Sequence, residues 1–325
     1  MAIVKLSEKN KVLHFQREVT EGTEVAQTAT SVILTQNLQA TIGEGDTQTD
    51  EYDGTAGRDN PVSTGNMRNS FAFDMPVTLS GTAGTAPALG AVLQACGFKE
   101  TITAATSVKY TPEALGAIKS GSVTMRRDLG TGFDLWYKTK AAKGILGIEI
   151  KAGQRPKFKV SNLVGDYIEP LRSANGTISP TNYGTQKTLV CDTASPDSVV
   201  TATLNGKALC LDSFSCQNLS GLDLQRFTSM CTGFTVANPA TPEATMTAVM
   251  PDWSADFNPF QYGRTDGAVK RYALVIDLGT VAGKKVRLEV AECQPVNPKE
   301  SSLTGGVLGF EMGLRLLSDV QITFS

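Results

Sequence analysis

Apolar and polar residues alternate over short stretches along most of this chain. In Tyr272-Ala-Leu-Val-Ile-Asp-Leu278 and Lys285-Val-Arg-Leu-Glu-Val290, the side chains of Val286, Leu288 and Val290 point one way and those of Arg287 and Glu289 the other. That period of two predicts strands with one buried and one wet face. Further strands are predicted at 31–42, 68–79, 121–128, 132–140, 144–151 and 156–165, and then at 208–218, 243–250, 269–278, 284–291, 306–316 and 319–324. Gly130-Thr-Gly132 and Lys151-Ala-Gly-Gln-Arg-Pro156 supply tight turns between them. One segment breaks the alternation. In Gly84-Thr-Ala-Pro-Ala-Leu-Gly-Ala-Val-Leu-Gln-Ala-Cys-Gly-Phe98, the residues Leu89, Val92, Leu93 and Cys96 fall on one helical face. Thr85 is positioned to cap this helix, Pro87 to occupy its first turn, and Gly97 to supply a left-handed C-terminal cap before Phe98.

The stretch Glu169-Pro-Leu-Arg-Ser-Ala-Asn-Gly-Thr-Ile-Ser-Pro180 carries prolines, a glycine and small polar residues. It predicts two domains, 1–170 and 186–325, joined by a linker at 171–185. The second half repeats the order of the first, strand, loop, strand, irregular piece and strands, with Pro251–Pro259 in the helix position. The wording echoes faintly, Leu34-Thr-Gln-Asn-Leu38 against Ser215-Cys-Gln-Asn-Leu219. The competing reading is one domain carrying an unrelated β-sandwich decoration.

At 325 residues the chain can bury two cores, and 41% hydrophobic against 19% charged residues excludes disorder. A formal charge of −2 gives no general attraction to nucleic acid or to an anionic membrane. No signal-like or membrane-spanning apolar stretch occurs, so a cytoplasmic place of synthesis and assembly is expected. The cysteines at 96, 191, 210, 216, 231 and 293 form no Cys-x-x-Cys pair and have only His14 as an imidazole neighbour in the composition. Buried free thiols are expected, and neither a metal nor any other cofactor.

Catalytic patterns are missing: there is no Gly-x-Gly-x-x-Gly after a strand, no Walker loop, no Gly-x-Ser-x-Gly and no His-Glu-x-x-His. A lone His14 reads as a packed or surface residue, and Asp252 with Asp256 as solvated or capping acids. The chain is not expected to be an enzyme. The strongest charge anomaly is the loop from Gly43 to Asn66, with Glu44, Asp46, Asp50, Glu51, Tyr52, Asp53, Arg58 and Asp59. It fits a calcium loop poorly, because Asn60 stands where the closing acid belongs.

The strand Phe71–Leu79, the Ala-Pro-Ala-Leu-Gly and Ala-Cys-Gly-Phe wording of the helix, then Glu100-Thr-Ile-Thr and Val108–Pro112 followed by dense strands, resemble the major tail tube protein of long, non-contractile phage tails. The resemblance covers about residues 30–170. It implies a mainly β fold of tail-tube-like β-sandwich or split-barrel domains, each with a short flanking helix, whose sheets join into an inner barrel in a ring. It implies Pro87, Leu89, Val92, Leu93, Gly97 and Phe98 as the signature helix, and the 43–66 loop as the contact between stacked rings. The implied partners are further copies in a trimeric or hexameric ring, a tape measure protein, tail terminator and distal tail proteins, and DNA passing without specific binding along an acidic bore, with no membrane. The implied location is the virion tail. A tube of a contractile tail or secretion-type injection system, and a carbohydrate-binding or fibre-like β module, are the alternatives.

Overall fold

The computed structural model describes residues 11–49, 62–129, 132–174, 187–188, 200–228, 233–251, 258, 260 and 270–325, and these are mainly β. The first half contains β1 (Lys11–Arg17), β2 (Val32–Ile33), β3 (Gln36–Thr49), β4 (Val62–Pro76) and β5 (Thr78–Leu79). Helix α1 (Gly90–Ala95) follows, then β6 (Phe98–Thr103), β7 (Ser107–Pro112), β8 (Gly121–Asp128), β9 (Phe133–Lys151) and β10 (Lys157–Ala174). In the second half come β11 (Lys187–Thr188), β12 (Val200–Leu204), β13 (Lys207–Leu209), β14 (Leu211–Cys216), β15 (Leu222–Thr228) and β16 (Gly233–Pro239). The chain ends with β17 (Glu243–Val249), β18 (Tyr272–Leu278), β19 (Val286–Ser302), β20 (Leu308–Leu316) and β21 (Val320–Phe324).

Among the described residues every strand pairing is antiparallel. Six pairings of the first half, β2–β1, β1–β8, β8–β9, β9–β10, β10–β4 and β4–β3, recur in the same order in the second as β13–β12, β12–β18, β18–β19, β19–β20, β20–β17 and β17–β14. The two sets are joined twice. Residues 148–151 of β9 pair with 213–216 of β14, and Tyr110 of β7 pairs with Ile322 of β21. The result is an unbroken run β3–β4–β10–β9–β14–β17–β20–β19. Its apolar face carries a buried ladder from Met75 through Phe158, Ile148, Cys216, Ala244 and Leu314 to Pro295, so one core spans both halves.

Several strands are longer than the sequence predicts. The expected strands 132–140 and 144–151 are one strand, β9, bent at Ala141, whose φ is +53°. β10 continues through Pro170 to Ala174, into the expected linker, because a register shift between Ile168 and Leu171 places that proline in a bulge. β19 likewise runs past Pro295 and Pro298, with its irregularity between Val296 and Lys299.

The helix is shorter than expected. It starts after Leu89, with Gly90 N–H donating to Pro87 O at 2.9 Å, and Thr85 does not cap it. Pro87 pushes Ala86 out of helical conformation, so a helix cannot begin at Thr85. Leu89, Val92, Leu93 and Cys96 are buried on one face as expected, and Gly97 takes φ +92°. The position of α1 is fixed by Tyr110: a Cβ on Gly90 would lie 2.3 Å from its hydroxyl, which donates to Glu100 at 2.5 Å. Tyr110 also packs edge-on against Phe324 at 5.6 Å, so one side chain links helix, β7 and the second half.

Two buried polar groups hold the first half. Glu18 accepts from Ser120 Oγ (2.6 Å), Ser122 Oγ (2.8 Å), Gly22 N–H (2.8 Å) and Ala141 N–H (2.9 Å). His14 Nδ1 lies 3.1 Å from Ser31 Oγ. Burial, helped by the charge of Arg126, lowers the His14 pKa from 6.5 to about 4. Between those values the unfolded chain binds a proton that the folded chain refuses. Stability present above pH 6.5 is therefore expected to fall as pH drops toward 4, by at most about 3 kcal/mol. Thermal melts from pH 7 to 4.5 should show a steeper acid loss for the wild type than for His14→Gln; equal slopes would contradict this.

The described cysteines Cys96, Cys210, Cys216 and Cys293 are free thiols. Burial pushes Cys96 and Cys293 up to about 12 and Cys216 to about 11. Cys210 is exposed, which corrects the expectation of burial for that one. Cys191 and Cys231 lie outside the described residues, as does Pro251–Pro259 for the most part.

Candidate assembly surface

Three features of the sheet are unsatisfied or specialised, and all follow from where its strands end. The first is the β3–β4 arm. Residues 43–49 and 62–66, expected as loop, are paired strands, with Asp46 opposite Gly65 and Thr47 opposite Thr64. Polar β-formers on both faces let the ladder continue without a core. Arg68 lies 3.2 Å from both Glu44 and Asp46, and Asn66 Nδ2 donates to Asp46 at 2.9 Å, so these two acids are held within the arm. Asn69, fully buried, fixes the base by accepting from Gly43 N–H and donating to Lys138 O, both at 2.8 Å. Asp50, Glu51, Tyr52, Asp53, Arg58 and Asp59 lie outside the described residues. The signature residues Leu89, Val92, Leu93 and Phe98 are all core, and Pro87 precedes the helix, so none of them forms a surface with the arm.

The second feature is the polar face of the long run of strands. Asp74 and Glu149 flank Lys157 at 3.0 and 3.6 Å, and Glu149 meets Lys159 at 2.6 Å. The hydrogen bond from Lys159 draws the Glu149 pKa below its usual value. Farther along, Glu311 pairs with Lys299 at 2.9 Å and Glu243 with Arg315 at 3.5 Å. Between them stand Ser213, Ser215, Thr245 and Thr247. The acids named on this face are each paired with a base.

The third feature is the pair of edges that end the run. Among the described residues β3 pairs only with β4, and past Cys293 β19 pairs only with β20. Beside β3 lies an open groove of about 980 Å³, lined by Lys11, Leu38, Gln39, Ile42, Met125 and Arg127 among others. Lys11 Nζ donates to Leu38 O across it at 2.6 Å, and Arg127 Nε is buried without a hydrogen-bond partner. Reading the sequence did not single out Lys11, Arg127 or the end of β19. The available signal was Pro295 and Pro298 inside an otherwise polar strand, since prolines in a sheet mark an edge or a bulge.

No protein-family model and no curated protein matches the chain. Among solved structures it is similar to a chain of the anti-feeding prophage (AFP) baseplate, seen by cryo-EM and 6-fold symmetrised. The TM-score is 0.28 and the identity 14%, over 38% of this chain and 89% of that one. A second likeness, to the TodX deltaS2S3 mutant monoaromatic hydrocarbon channel, has a TM-score of 0.10 and 10% identity, over 79% of this chain and 66% of that one. Both scores are too low to carry an argument about fold or function.

Proposed function

We propose that this chain is the structural subunit of a phage tail tube, with no catalytic role, whose rings stack into the conduit for DNA. The observation that carries the reading is the unbroken run from β3 to β19, which repeats one strand order, turns a polar face outward and, among the described residues, ends in an open edge on each side. Open edges invite uncontrolled pairing unless something covers them, and closure into a ring removes them. The duplicated order supports a trimer, in which each chain supplies two tube-like units to a pseudo-sixfold ring. Paired charges on the polar face suit a bore along which DNA slides, because each unpaired base would add a counterion-release term favouring adhesion. Stacking of rings is a head-to-tail contact that does not close, so a ruler inside the tube, a tape measure protein, sets its length, and terminator and distal tail proteins end it. On this reading the arm reaches the neighbouring ring and the protein resides in the virion tail. Negative-stain images of the concentrated protein test the proposal: hollow tubes or stacked rings are expected, and a protein that stays monomeric by light scattering at every concentration contradicts it.

A further inference from the structure

We infer that the two edges left free among the described residues pair with each other between copies, residues 38–40 near the start of β3 against residues 300–302 at the end of β19 of a second copy, with Glu300 entering the groove beside Arg127 and Lys11. The inference rests on the ring reading above, and its template is already present within the chain. Where β9 passes beyond β8, no strand among the described residues pairs with residues 143–147 on that side, and β14 then pairs from Ile148 onward. β19 passes beyond β18 at Cys293 as β9 passes beyond β8 at Ala142, and, allowing for the extra residue of β19 in its bulge between Val296 and Lys299, Glu300 lies as far past the one as Ile148 past the other. β14 follows the short strand β13, which pairs with β12; β3 follows the short strand β2, which pairs with β1. Gln36 stands opposite Asp74 as Ser213 stands opposite Thr247, on the same polar face. The strand that β9 offers to β14 within one chain is thus offered by β19 to the β3 of the next.

The side chains agree with this placement. Prolines 295 and 298 remove donors from the stretch of β19 that the template leaves unpaired, and both precede Glu300, where pairing is due. In the internal junction Ile148, opposite Phe158, is 1% exposed because β14 covers it. Its counterpart Glu300, opposite Phe310 on the same inward face, is exposed. An inward-pointing charge on a bare edge discourages indiscriminate pairing and selects a partner that presents the opposite charge. The groove beside β3 presents it, in Lys11 and in Arg127, whose Nε lacks a partner. A head-to-tail contact between different edges of one chain is heterologous, and it generates a ring when the rotation closes.

The test is charge exchange on the full chain, read by analytical ultracentrifugation and electron microscopy. Glu300→Arg and Arg127→Glu alone should each raise the concentration for half-assembly at least tenfold, and the double variant should return it to within about threefold of wild type. Because Arg127→Glu could perturb folding, a second measurement uses Gln39→Cys with Ser301→Cys, which the junction places opposite each other on the polar face. Mild oxidation of assembled protein should give a ladder of covalent oligomers that neither single variant gives. Assembly unchanged in both charge variants, a double variant no better than the weaker single, or no ladder from assembled protein would each overturn the edge assignment, and if tubes persist in those samples the tube reading survives. A wild type that never assembles overturns both.

Discussion

A Gly147→Val chain is expected to lose about 3 kcal/mol of stability, because the new side chain has nowhere to go at the junction of the two halves. A Cβ on Gly147 would lie 2.7 Å from Cys216 O and 2.8 Å from Gln217 O. Both are backbone atoms where β14 leaves β9, so they cannot swing aside as the tip of a side chain would. The substitution must push β14 away from β9, opening the ladder that carries Ile148 and Cys216. Two readouts separate this from a local disturbance: the urea midpoint should drop, and Cys216, normally 1% exposed, should react with a thiol reagent well before global unfolding. Gly116→Ala is the control, since nothing lies within 4 Å of its added Cβ. A valine chain with the wild-type midpoint and a protected Cys216 would show that the halves are not held together there.

Glu18→Ala is expected to cost more, about 3–5 kcal/mol, by leaving several buried donors without an acceptor. The carboxylate is 3% exposed and takes hydrogen bonds from two serine hydroxyls and two backbone N–H groups. Alanine orphans all of them in a site too enclosed for free hydration. Glu18→Gln keeps one acceptor oxygen but adds an N–H₂ facing donors, so it should recover only part of the loss. Urea unfolding of the three proteins checks the order; a loss below about 1 kcal/mol for alanine would mean that water replaces the carboxylate.

Much of the fold is legible wherever side-chain period alone decides structure. Val286, Leu288 and Val290 are buried as their alternation requires, and Arg287 on the other face forms a two-pronged pair with Asp277, both contacts at 2.8 Å. Leu89, Val92, Leu93 and Cys96 form the buried helical stripe. The failures share one cause, the assumption that proline, glycine and clustered polar residues end a strand. Pro170 of β10 and Pro298 of β19 sit in bulges, Pro295 keeps its place in the ladder opposite Leu314, and in the β3–β4 arm the polar residues pair with one another. A bulge preserves the strand while shifting its register, and no local pattern announces that a partner strand continues alongside. The edges were illegible for the same reason. Pro295 and Pro298 mark an edge or a bulge without saying which; that Lys299–Ser302 is a free edge among the described residues follows from which strands pair elsewhere.

Cryo-EM of the assembled wild-type protein tests the central claim most directly, that the β9–β14 junction within a chain is repeated between chains. The account predicts three chains per ring, with residues 38–40 of each chain hydrogen-bonded to residues 300–302 of its neighbour and both halves contributing strands to one continuous inner barrel. Six chains per ring, with residues beyond 185 lying wholly outside that barrel, would contradict it.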